Sequence, residues 1–219
     1  MQSIQTVSEN TIYVGASDRR LAKFENLFPI PRGVSYNAYV ILDEKTALLD
    51  TADASVGAQF LENVAAALDG RKLDYLIVDH MEPDHAAMIE AVLVRWPDLR
   101  LVVNAKTLPM LKMYFPTDNA AIDDALVVKE GDTLDLGKHK LTFVMAPMVH
   151  WPEVMMTFDT TTGTLFSADA FGTFGALEGA LFADEVDFAG KWLDDARRYY
   201  TNIVGKYGPQ VQALLKKIS

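Results

Sequence analysis

The chain has 219 residues, half of them hydrophobic, which suffices for a sizeable core and excludes a disordered protein. Twenty basic residues against 30 acidic ones give a net charge of −10, which disfavours nucleic acids and anionic membrane surfaces as partners. The absence of cysteine excludes disulfides, thiolate metal sites and a cysteine nucleophile.

The first half of the chain alternates between apolar runs and amphipathic stretches. Short apolar runs bounded by turn residues predict strands, and apolar side chains that recur every three to four positions predict helices. The predicted strands lie at 36–42, 46–50, 73–78 and 101–103. The predicted helices lie at 53–68, 84–96 and 107–114.

The second half is richer in strands, with glycines at the expected turns. The predicted strands lie at 126–128, 133–136, 140–145, 154–158 and 164–167, followed by helices at 188–204 and 211–218. A mixed half followed by a β-rich half indicates an α+β protein with two packed sheets and helices outside. Since no linker or repeat divides the chain, we expect one domain over 1–219.

The beginning of the chain and its apolar runs bear on cellular location. No basic segment followed by an apolar run precedes the first predicted strand, so no signal peptide is expected. The apolar runs are too short to span a bilayer. We therefore expect a cytoplasmic protein.

The segment VDHMEPDHAAM places His80, Glu82, Asp84 and His85 within six residues. It follows a predicted buried strand and precedes a predicted helix. Pro83 disfavours helix at the residue before it, so these side chains belong to a turn in which they can converge. Their residue types are those that bind metals through nitrogen and oxygen.

Two further ligand-type residues lie near the ends of later strands, His150 in LTFVMAPMVH and Asp169 in TLFSAD. Side chains at strand ends sit on a rigid sheet edge and can meet at one cleft. The remaining histidine, His139 in GKHK, is expected to be an exposed hairpin residue. Taken singly, these residues could be surface or capping residues. Their spacing together favours a metal site.

The donor types restrict which metals can bind. Imidazoles and carboxylates without thiolates suit iron, manganese or zinc. Six candidate ligands are too many for one tetrahedral zinc ion, which predicts two metals about 3.5–4 Å apart with a bridging carboxylate. Asp169, alone on its strand end, is the expected bridge. Three carboxylates favour iron, as in other diiron carboxylate sites.

The HMEPDH motif resembles the flavodiiron variant of the β-lactamase-like metal motif. Glu82 stands where zinc hydrolases of that superfamily carry a second histidine. The segments MVHWPEVMMTFD, LFSADAFGTFG and ARRYYTNIVGKYG are also similar to the family's later motifs. The resemblance to flavodiiron proteins (A-type flavoproteins) covers nearly the whole chain. It implies a metallo-β-lactamase-like αββα sandwich of two mixed sheets packed face to face, with helices outside.

The resemblance also implies two non-haem irons. One would be held by His80, Glu82 and His150, the other by Asp84 and His85, with Asp169 bridging both. In some family members the residue matching His85 is displaced from the metal. A tyrosine near the diiron pocket in relatives matches Tyr199 or Tyr200, and an ordinary core tyrosine is the alternative reading.

Function follows from the same resemblance. It implies reduction of dioxygen to water or of nitric oxide to nitrous oxide, and leaves the choice between them open. Electrons would come from FMN in a flavodoxin-like domain, supplied by a rubredoxin-like or other donor, in a head-to-tail homodimer or tetramer. The chain matches neither that domain nor the family's last histidine ligand. We therefore expect a C-terminally incomplete diiron domain that does not turn over alone.

Two other interpretations fit parts of the sequence. A zinc-dependent hydrolase of the same fold would use a metal-bound hydroxide, but Glu82 and the wider resemblance argue against it. A scaffold or interaction module that has lost its metal stays open because the ligand set is incomplete. Metal analysis after anaerobic iron loading separates them, since the three interpretations predict two irons, two zincs and no metal.

Overall fold

The computed structural model describes residues 3–115 and 120–219. The strands in these residues are β1 (Gln5–Ser8), β2 (Thr11–Tyr13), β3 (Ala16–Asp18), β4 (Lys23–Phe24), β5 (Phe28–Pro29), β6 (Val34–Tyr36), β7 (Tyr39–Ile41), β8 (Ala47–Leu49), β9 (Tyr75–Ile77), β10 (Arg100–Asn104), β11 (Leu126–Val128), β12 (Thr133–Asp135), β13 (Lys140–Met145), β14 (Met155–Asp159) and β15 (Thr164–Phe166). The α-helices are α1 (Gly57–Leu68), α2 (Pro83–Ala86), α3 (Ile89–Arg95), α4 (Thr107–Tyr114), α5 (Ala120–Asp123), α6 (Phe188–Lys191), α7 (Leu193–Tyr199) and α8 (Gly208–Ile218). Short 3₁₀ turns and a π-helical segment complete the helical structure.

The larger sheet has seven strands in the order β1-β2-β7-β8-β9-β10-β11. Strands β8 to β11 are parallel, and β1, β2, β7 and β8 pair antiparallel. The carboxyl ends of the parallel strands therefore meet at one edge of this sheet, which is where α/β proteins place their functional side chains. The predicted metal-binding segment directly follows β9.

The smaller sheet, β12-β13-β14-β15, is antiparallel throughout and packs against one face of the larger one. The apolar layer between the sheets is a buried cluster formed by side chains of both. It comprises Ile41, Ala47, Leu49, Ile77, Val102 and Val128 from the larger sheet side, and Leu134, Leu136, Leu141, Phe143, Met155 and Phe166 from the smaller. Burial of such a layer is the main stabilising contribution to a two-sheet fold.

Neighbouring residues on the parallel strands point to opposite faces, as the pleat requires. Leu48 and Leu76 belong to the second buried cluster, which they share with Phe60 and Val64 of α1, whereas Ile77 belongs to the layer between the sheets. Both faces of these strands are therefore covered. The sandwich with outer helices is confirmed, although the smaller of the two sheets is not mixed.

The apolar run at 36–42 is two strands rather than one. Val34–Tyr36 pairs with β3 in a small separate sheet, and Tyr39–Ile41 pairs with β2 in the large sheet. Tyr36, Ala38 and Val40 are all buried, so apolar residues continue through the gap between the two strands. The sequence therefore suggests a single strand. The five strands before Val34 have only two to four residues each, too short for a periodic signal.

The predicted helix at 84–96 is interrupted between α2 and α3. Thr51 donates two hydrogen bonds to the carbonyl of His85, from its backbone nitrogen at 2.8 Å and from Oγ1 at 2.7 Å. That carbonyl is thereby engaged from outside the helix, and Thr51 Oγ1 also accepts from the Met88 nitrogen at 3.3 Å. The interruption fixes His85 beside β8. The predicted helix at 107–114 is confirmed.

The predicted helix at 188–204 is likewise divided, into α6, α7 and a π-helical segment at Tyr200–Val204. Such π segments place an extra residue within a turn and change the direction in which side chains point. Tyr199 and Tyr200 lie where α7 passes into this segment, and only Tyr199 is buried.

The expectation that His139 is exposed is wrong. Its side chain is fully buried, and its Nδ1–H donates to Asp159 Oδ2 at 2.8 Å. Its backbone nitrogen donates to Asp43 Oδ2 at 2.6 Å. The turn before β13 therefore packs against both the turn at 43–45 and the end of β14, which excludes water from the imidazole.

None of the helices in residues 3–115 and 120–219 combines the length and the apolar character that crossing a bilayer requires.

We expect His139→Ala to lower the free energy of unfolding by about 3 kcal/mol, because it leaves the buried Asp159 carboxylate without its imidazole partner. Urea denaturation of the metal-free chain measures this change. Lys138→Ala is the control and should leave stability nearly unchanged, because within the described residues the ammonium group of Lys138 forms one ion pair, with the exposed Glu9. Equal stability of both variants would contradict a structural role for His139.

Candidate metal centre

Four of the predicted ligands form one compact cluster, His80, Glu82, His150 and Asp169. Glu82 Oε2 lies 3.3 Å from His80 Nε2 and 3.0 Å from His150 Nε2. Asp169 Oδ2 lies 3.1 Å from each of the same two nitrogens. All four side chains are buried. Two imidazole nitrogens and two carboxylate oxygens thus surround one point.

Asp84, His85 and Asp169 form a second cluster beside the first. His85 Nε2 lies 3.0 Å from Asp169 Oδ1 and 3.9 Å from Asp84 Oδ2. Asp169 therefore directs one carboxylate oxygen to each cluster. All six residues predicted from the sequence are brought together, and Asp169 occupies the position expected of a bridge. Their role as ligands stays a prediction.

The elements around the clusters explain this convergence. His80 follows β9, and Glu82 directly precedes α2, where Pro83 takes the first helical position and Asp84 lies in the first turn. Proline is favoured at that position because its missing N–H is not needed there. His150 and Asp169 come from loops that follow β13 and β15 of the smaller sheet. The site therefore lies where the edges of the two sheets meet.

Two carboxylates accept hydrogen bonds from the histidine ring nitrogens that face away from the clusters. Glu153 Oε1 accepts hydrogen bonds from His80 Nδ1 at 2.7 Å and from the Met81 nitrogen at 3.0 Å. Asp50 Oδ2 accepts from His85 Nδ1 at 3.0 Å. With the hydrogen on Nδ1, the Nε2 atom of each ring faces the clusters. This is the arrangement in which a histidine binds a metal through Nε2.

Electrostatics favour the charged form of the three histidines in the clusters, His80, His85 and His150. Burial opposes the charged form, but neighbouring carboxylates outweigh it and raise the pKa of His80 and His85 well above the ordinary value. For His150 burial likewise opposes the charge, and hydrogen bonds to Asp169 and Glu82 raise its pKa to about 9. A metal must therefore displace protons from these rings.

The pKa values of the acidic residues in and behind the site are shifted in opposite directions. Burial would raise the pKa of Glu82, but contacts with His150 and His80 hold it far below the ordinary range. The pKa of Asp84 is raised to about 7, because burial outweighs the attraction of His85. Behind the site, burial and the neighbouring Asp50 raise the pKa of Asp79 well above its ordinary value. Opposite shifts of this kind within one cleft are typical of functional sites.

Glu25 is a further acidic residue that reaches the site. It lies in the turn between β4 and β5, in a left-handed backbone conformation with φ of 50°. Its side chain is largely exposed, but interaction with the Glu82 carboxyl and partial desolvation raise the pKa of Glu25 to about 8. The turn therefore brings a protonatable carboxyl group against a predicted ligand.

The two candidate tyrosines differ sharply. Tyr199 is buried, and its hydroxyl donates to Asp169 Oδ1 at 2.7 Å. Burial and the charge of Asp169 raise the pKa of Tyr199 well above its ordinary value, so its hydroxyl keeps its hydrogen. Tyr200 is 43% exposed. Of the two, Tyr199 is thus the residue adjacent to the site.

A cavity of about 240 Å³ opens onto the second cluster. Its lining includes Phe24, Tyr36, Asp84, His85, Asp169 and Tyr199. The apolar and aromatic members limit how much water surrounds the polar ones, which strengthens the electrostatic interactions among them. A space of this size beside the clusters suits a small substrate.

The residues present fit a pair of metal ions. Ligand atoms about 2.1 Å from one metal and about 90° apart lie roughly 3 Å from each other, which is the spacing found in the first cluster. Asp169 Oδ2 and Asp84 Oδ1 are buried without a well-directed hydrogen bond. Most buried polar atoms have hydrogen-bond partners, and these two oxygens belong to residues of the two clusters, so they fit metal ligation. The oxygen and nitrogen donors suit iron better than a soft metal.

Four contributing residues were absent from the sequence-based site, namely Asp50, Asp79, Glu153 and Glu25. Asp50 follows the buried strand β8, and the carboxyl end of β8 lies beside that of β9, so topology could have suggested it. Asp79 immediately precedes His80. Glu153 comes three residues after His150 in the quoted motif. For Glu25 the sequence offers no signal, because its position depends on how the short turn between β4 and β5 folds against the site.

The fold is thus a β-lactamase-like sandwich, and its site contains two groups of side chains of the types that bind metals. Residues 34–203 match the family described as "ODP family beta lactamase". The chain is 36% identical over 216 residues to the anaerobic nitric oxide reductase flavorubredoxin of Aliivibrio salmonicida, covering 97% of this chain and 42% of that protein.

Solved structures agree with this match. The flavodiiron protein of Giardia intestinalis is similar with a TM-score of 0.90 at 26% identity, covering 100% of this chain and 52% of the other. The rubredoxin oxygen:oxidoreductase of Desulfovibrio gigas gives a TM-score of 0.91 at 31% identity, with 99% and 53% covered. The chain therefore belongs to the ODP beta lactamase family, and the resemblance to flavodiiron proteins is confirmed. It spans about half the length of the relatives it matches.

Metal binding should tighten as pH rises. Below about pH 9 His150 holds a proton that the metal must displace, so affinity should increase about tenfold per pH unit for each proton released. The same proton stabilises the metal-free fold fully below pH 6.5, and this contribution is lost as pH rises through about 9. Chelator competition with ferrous ions between pH 6.5 and 9 measures the first effect, and thermal unfolding the second. A pH-independent affinity would rule out this proton competition.

Asp169→Ala should weaken both metal positions, by about 100-fold or more, whereas His150→Ala should weaken mainly the first. The reason is that Asp169 directs one oxygen to each cluster, and His150 contacts only one. Metal per chain after loading and gel filtration gives the result, with circular dichroism as the check on folding. If Asp169→Ala loses only one metal, Asp169 is not a bridge.

Proposed function

We propose that this chain is the diiron domain of an oxidoreductase that reduces dioxygen to water or nitric oxide to nitrous oxide. The observation that carries the proposal is the Asp169 carboxylate, which faces His80 and His150 with one oxygen and His85 with the other. A single carboxylate between two histidine groups suits a pair of metals held close together. When bound, the two irons would supply the electron transfer to the substrate.

The relatives support this choice of reaction. A flavorubredoxin named as a nitric oxide reductase and an enzyme named as a rubredoxin oxygen:oxidoreductase are both similar to the chain over nearly its full length. Glu82 supports it independently, because an anionic oxygen ligand in place of a histidine favours iron over zinc. A zinc hydrolase is correspondingly less well supported.

The residues of this chain would hold and shield the reacting centre. His80, Glu82, His150 and Asp169 would hold one iron, and Asp84, His85 and Asp169 the other. The hydroxyl of Tyr199 donates to Asp169 and orients the bridging carboxylate. The cavity beside them would admit a diatomic substrate while aromatic side chains exclude bulk water.

The complete protein would need further components. Electrons would come from FMN on a flavodoxin-like domain, reduced by a rubredoxin-like or other donor, within a head-to-tail homodimer or tetramer in the cytoplasm. We treat residues 1–219 as one domain of that protein. The proposal leaves dioxygen and nitric oxide as parallel substrates.

The experiment is anaerobic loading of the chain with equimolar ferrous and zinc ions, followed by metal analysis. Wild type should take up iron with a ratio to zinc at least about tenfold above that of Glu82→His, because the variant replaces an anionic ligand with a neutral imidazole. Iron-loaded wild type, given a chemical reductant, should then consume dioxygen or nitric oxide, measured with gas electrodes.

The zinc-loaded protein is the control and should consume neither gas, because zinc has no accessible redox change. An unchanged iron-to-zinc ratio in Glu82→His would count against the role given to Glu82. Loading with two zincs together with hydrolase activity would support the zinc hydrolase instead. A chain that binds no metal would support an interaction module.

A further inference from the structure

A buried side-chain hydrogen bond joins the two sheets directly beside the candidate metal centre. Thr157 Oγ1, on β14 of the smaller sheet, donates to Asp79 Oδ1 at 2.8 Å. Asp79 comes two residues after the end of β9 of the larger sheet, and both residues are buried. The backbone nitrogen of Met155, also on β14, donates to the Asp79 carbonyl at 3.0 Å. The smaller sheet therefore holds Asp79 at two points.

The pleat of the strands places this bond at the margin of the apolar layer between the sheets. Side chains two residues apart on a strand share a face. Thr157 thus shares a face with Met155, and Asp79 continues the face of Ile77, and both Met155 and Ile77 belong to that layer. Apolar contacts have no preferred direction, whereas a hydrogen bond tolerates only a narrow range of distance and angle. The polar pair can therefore fix the relative position of the sheets where apolar contacts would let them shift.

Both partners lie close in the chain to predicted metal ligands. Asp79 directly precedes His80. The loop that carries His150 leads into β14, the strand of Thr157, and the loop that carries Asp169 follows β15, which pairs with β14. The hydrogen bond therefore connects the backbone that carries one predicted ligand of the first cluster to the backbone that carries two others.

We infer that Thr157 is a positioning residue whose hydroxyl, through Asp79, sets the distance between His80 and the ligands of the smaller sheet. Asp169 Oδ2 lies 3.1 Å from both His80 Nε2 and His150 Nε2, a spacing that a small shift between the sheets would change. The bond does not depend on the charge of Asp79, because a carboxylate and a carboxylic acid both offer an accepting oxygen. The consequence for metal binding rests on the proposed function, and the placement of the ligands does not.

Two substitutions separate the hydroxyl of Thr157 from the space that its side chain fills. Thr157→Val keeps the shape and removes the donor, whereas Thr157→Ser keeps the donor and removes one buried methyl group. If Thr157 only fills space, Thr157→Ser is the more harmful change. If its hydroxyl positions the ligands, Thr157→Val is the more harmful change at the metal centre. Thr11→Val is the matched control, because Thr11 is also fully buried on a strand and its hydroxyl has no hydrogen-bond partner within the described residues.

The first measurement uses the metal-free chain. The ring centroids of His80 and His150 lie 5.3 Å apart, so their carbon-bound ring hydrogens should show a nuclear Overhauser effect, assigned by its loss in His80→Gln. Thr157→Ser and Thr11→Val should keep the intensity of wild type, and Thr157→Val should lower it. Near-ultraviolet circular dichroism checks that each variant is folded. Equal intensities in Thr157→Val and Thr11→Val would overturn the inference.

The second measurement is a titration with zinc ions against a competing chelator. Thr157→Val should weaken binding at the first cluster by about 10–100-fold, as the loss of a residue that supports a ligand does, and Thr157→Ser should retain most of the affinity. A loss in Thr157→Ser as large as that in Thr157→Val would mean that packing rather than the hydroxyl matters, and the inference would fail. If wild type binds no metal while the first measurement gives the expected result, the proposed function fails and the placement of His80 by Thr157 stands.

Discussion

The Asp169 carboxylate is the constraint on which the rest of the site depends. One of its oxygens lies 3.1 Å from His80 and His150, and the other 3.0 Å from His85 and 2.7 Å from the Tyr199 hydroxyl. These partners come from both sheets and from the helical region near the C-terminus. Asp169 can contact all of these partners only when the two sheets are packed together. The site therefore forms only when the sandwich forms.

The strands show how this coupling is built. On β9, Ile77 fills the layer between the sheets and Leu76 the layer under the helices, and the strand then leads directly to His80. The apolar alternation that stabilises the fold therefore also sets the direction in which the ligand-bearing loop leaves the sheet. Because the predicted ligands come from distant segments and converge only in the folded chain, the free energy of metal binding would add to that of folding.

Part of this arrangement could be predicted from the local sequence. The helix at 107–114 and the strands at 126–128 and 140–145 follow from their apolar pattern. The grouping of the predicted ligands within HMEPDH follows from their spacing. Interactions between residues that are far apart in the sequence could not be predicted from it. Asp50 meets His85 35 residues away, and His139 is buried against Asp159 20 residues away although its own turn is polar. Thr51 likewise interrupts a helix whose own pattern is continuous.

The same charges bear on how protons and metal ions would compete for the site. The buried carboxylates of Glu82 and Asp169, and Asp84 beside them, would repel one another when ionised if nothing balanced them. The pKa values of the three histidines are raised because each imidazole lies against at least one of these acids, so protons on these rings favour the balance. Protons and metal ions would therefore compete for the same negatively charged site. Metal binding would exchange one set of positive charges for another, and nitrogen and oxygen atoms about 3 Å apart suit such an exchange.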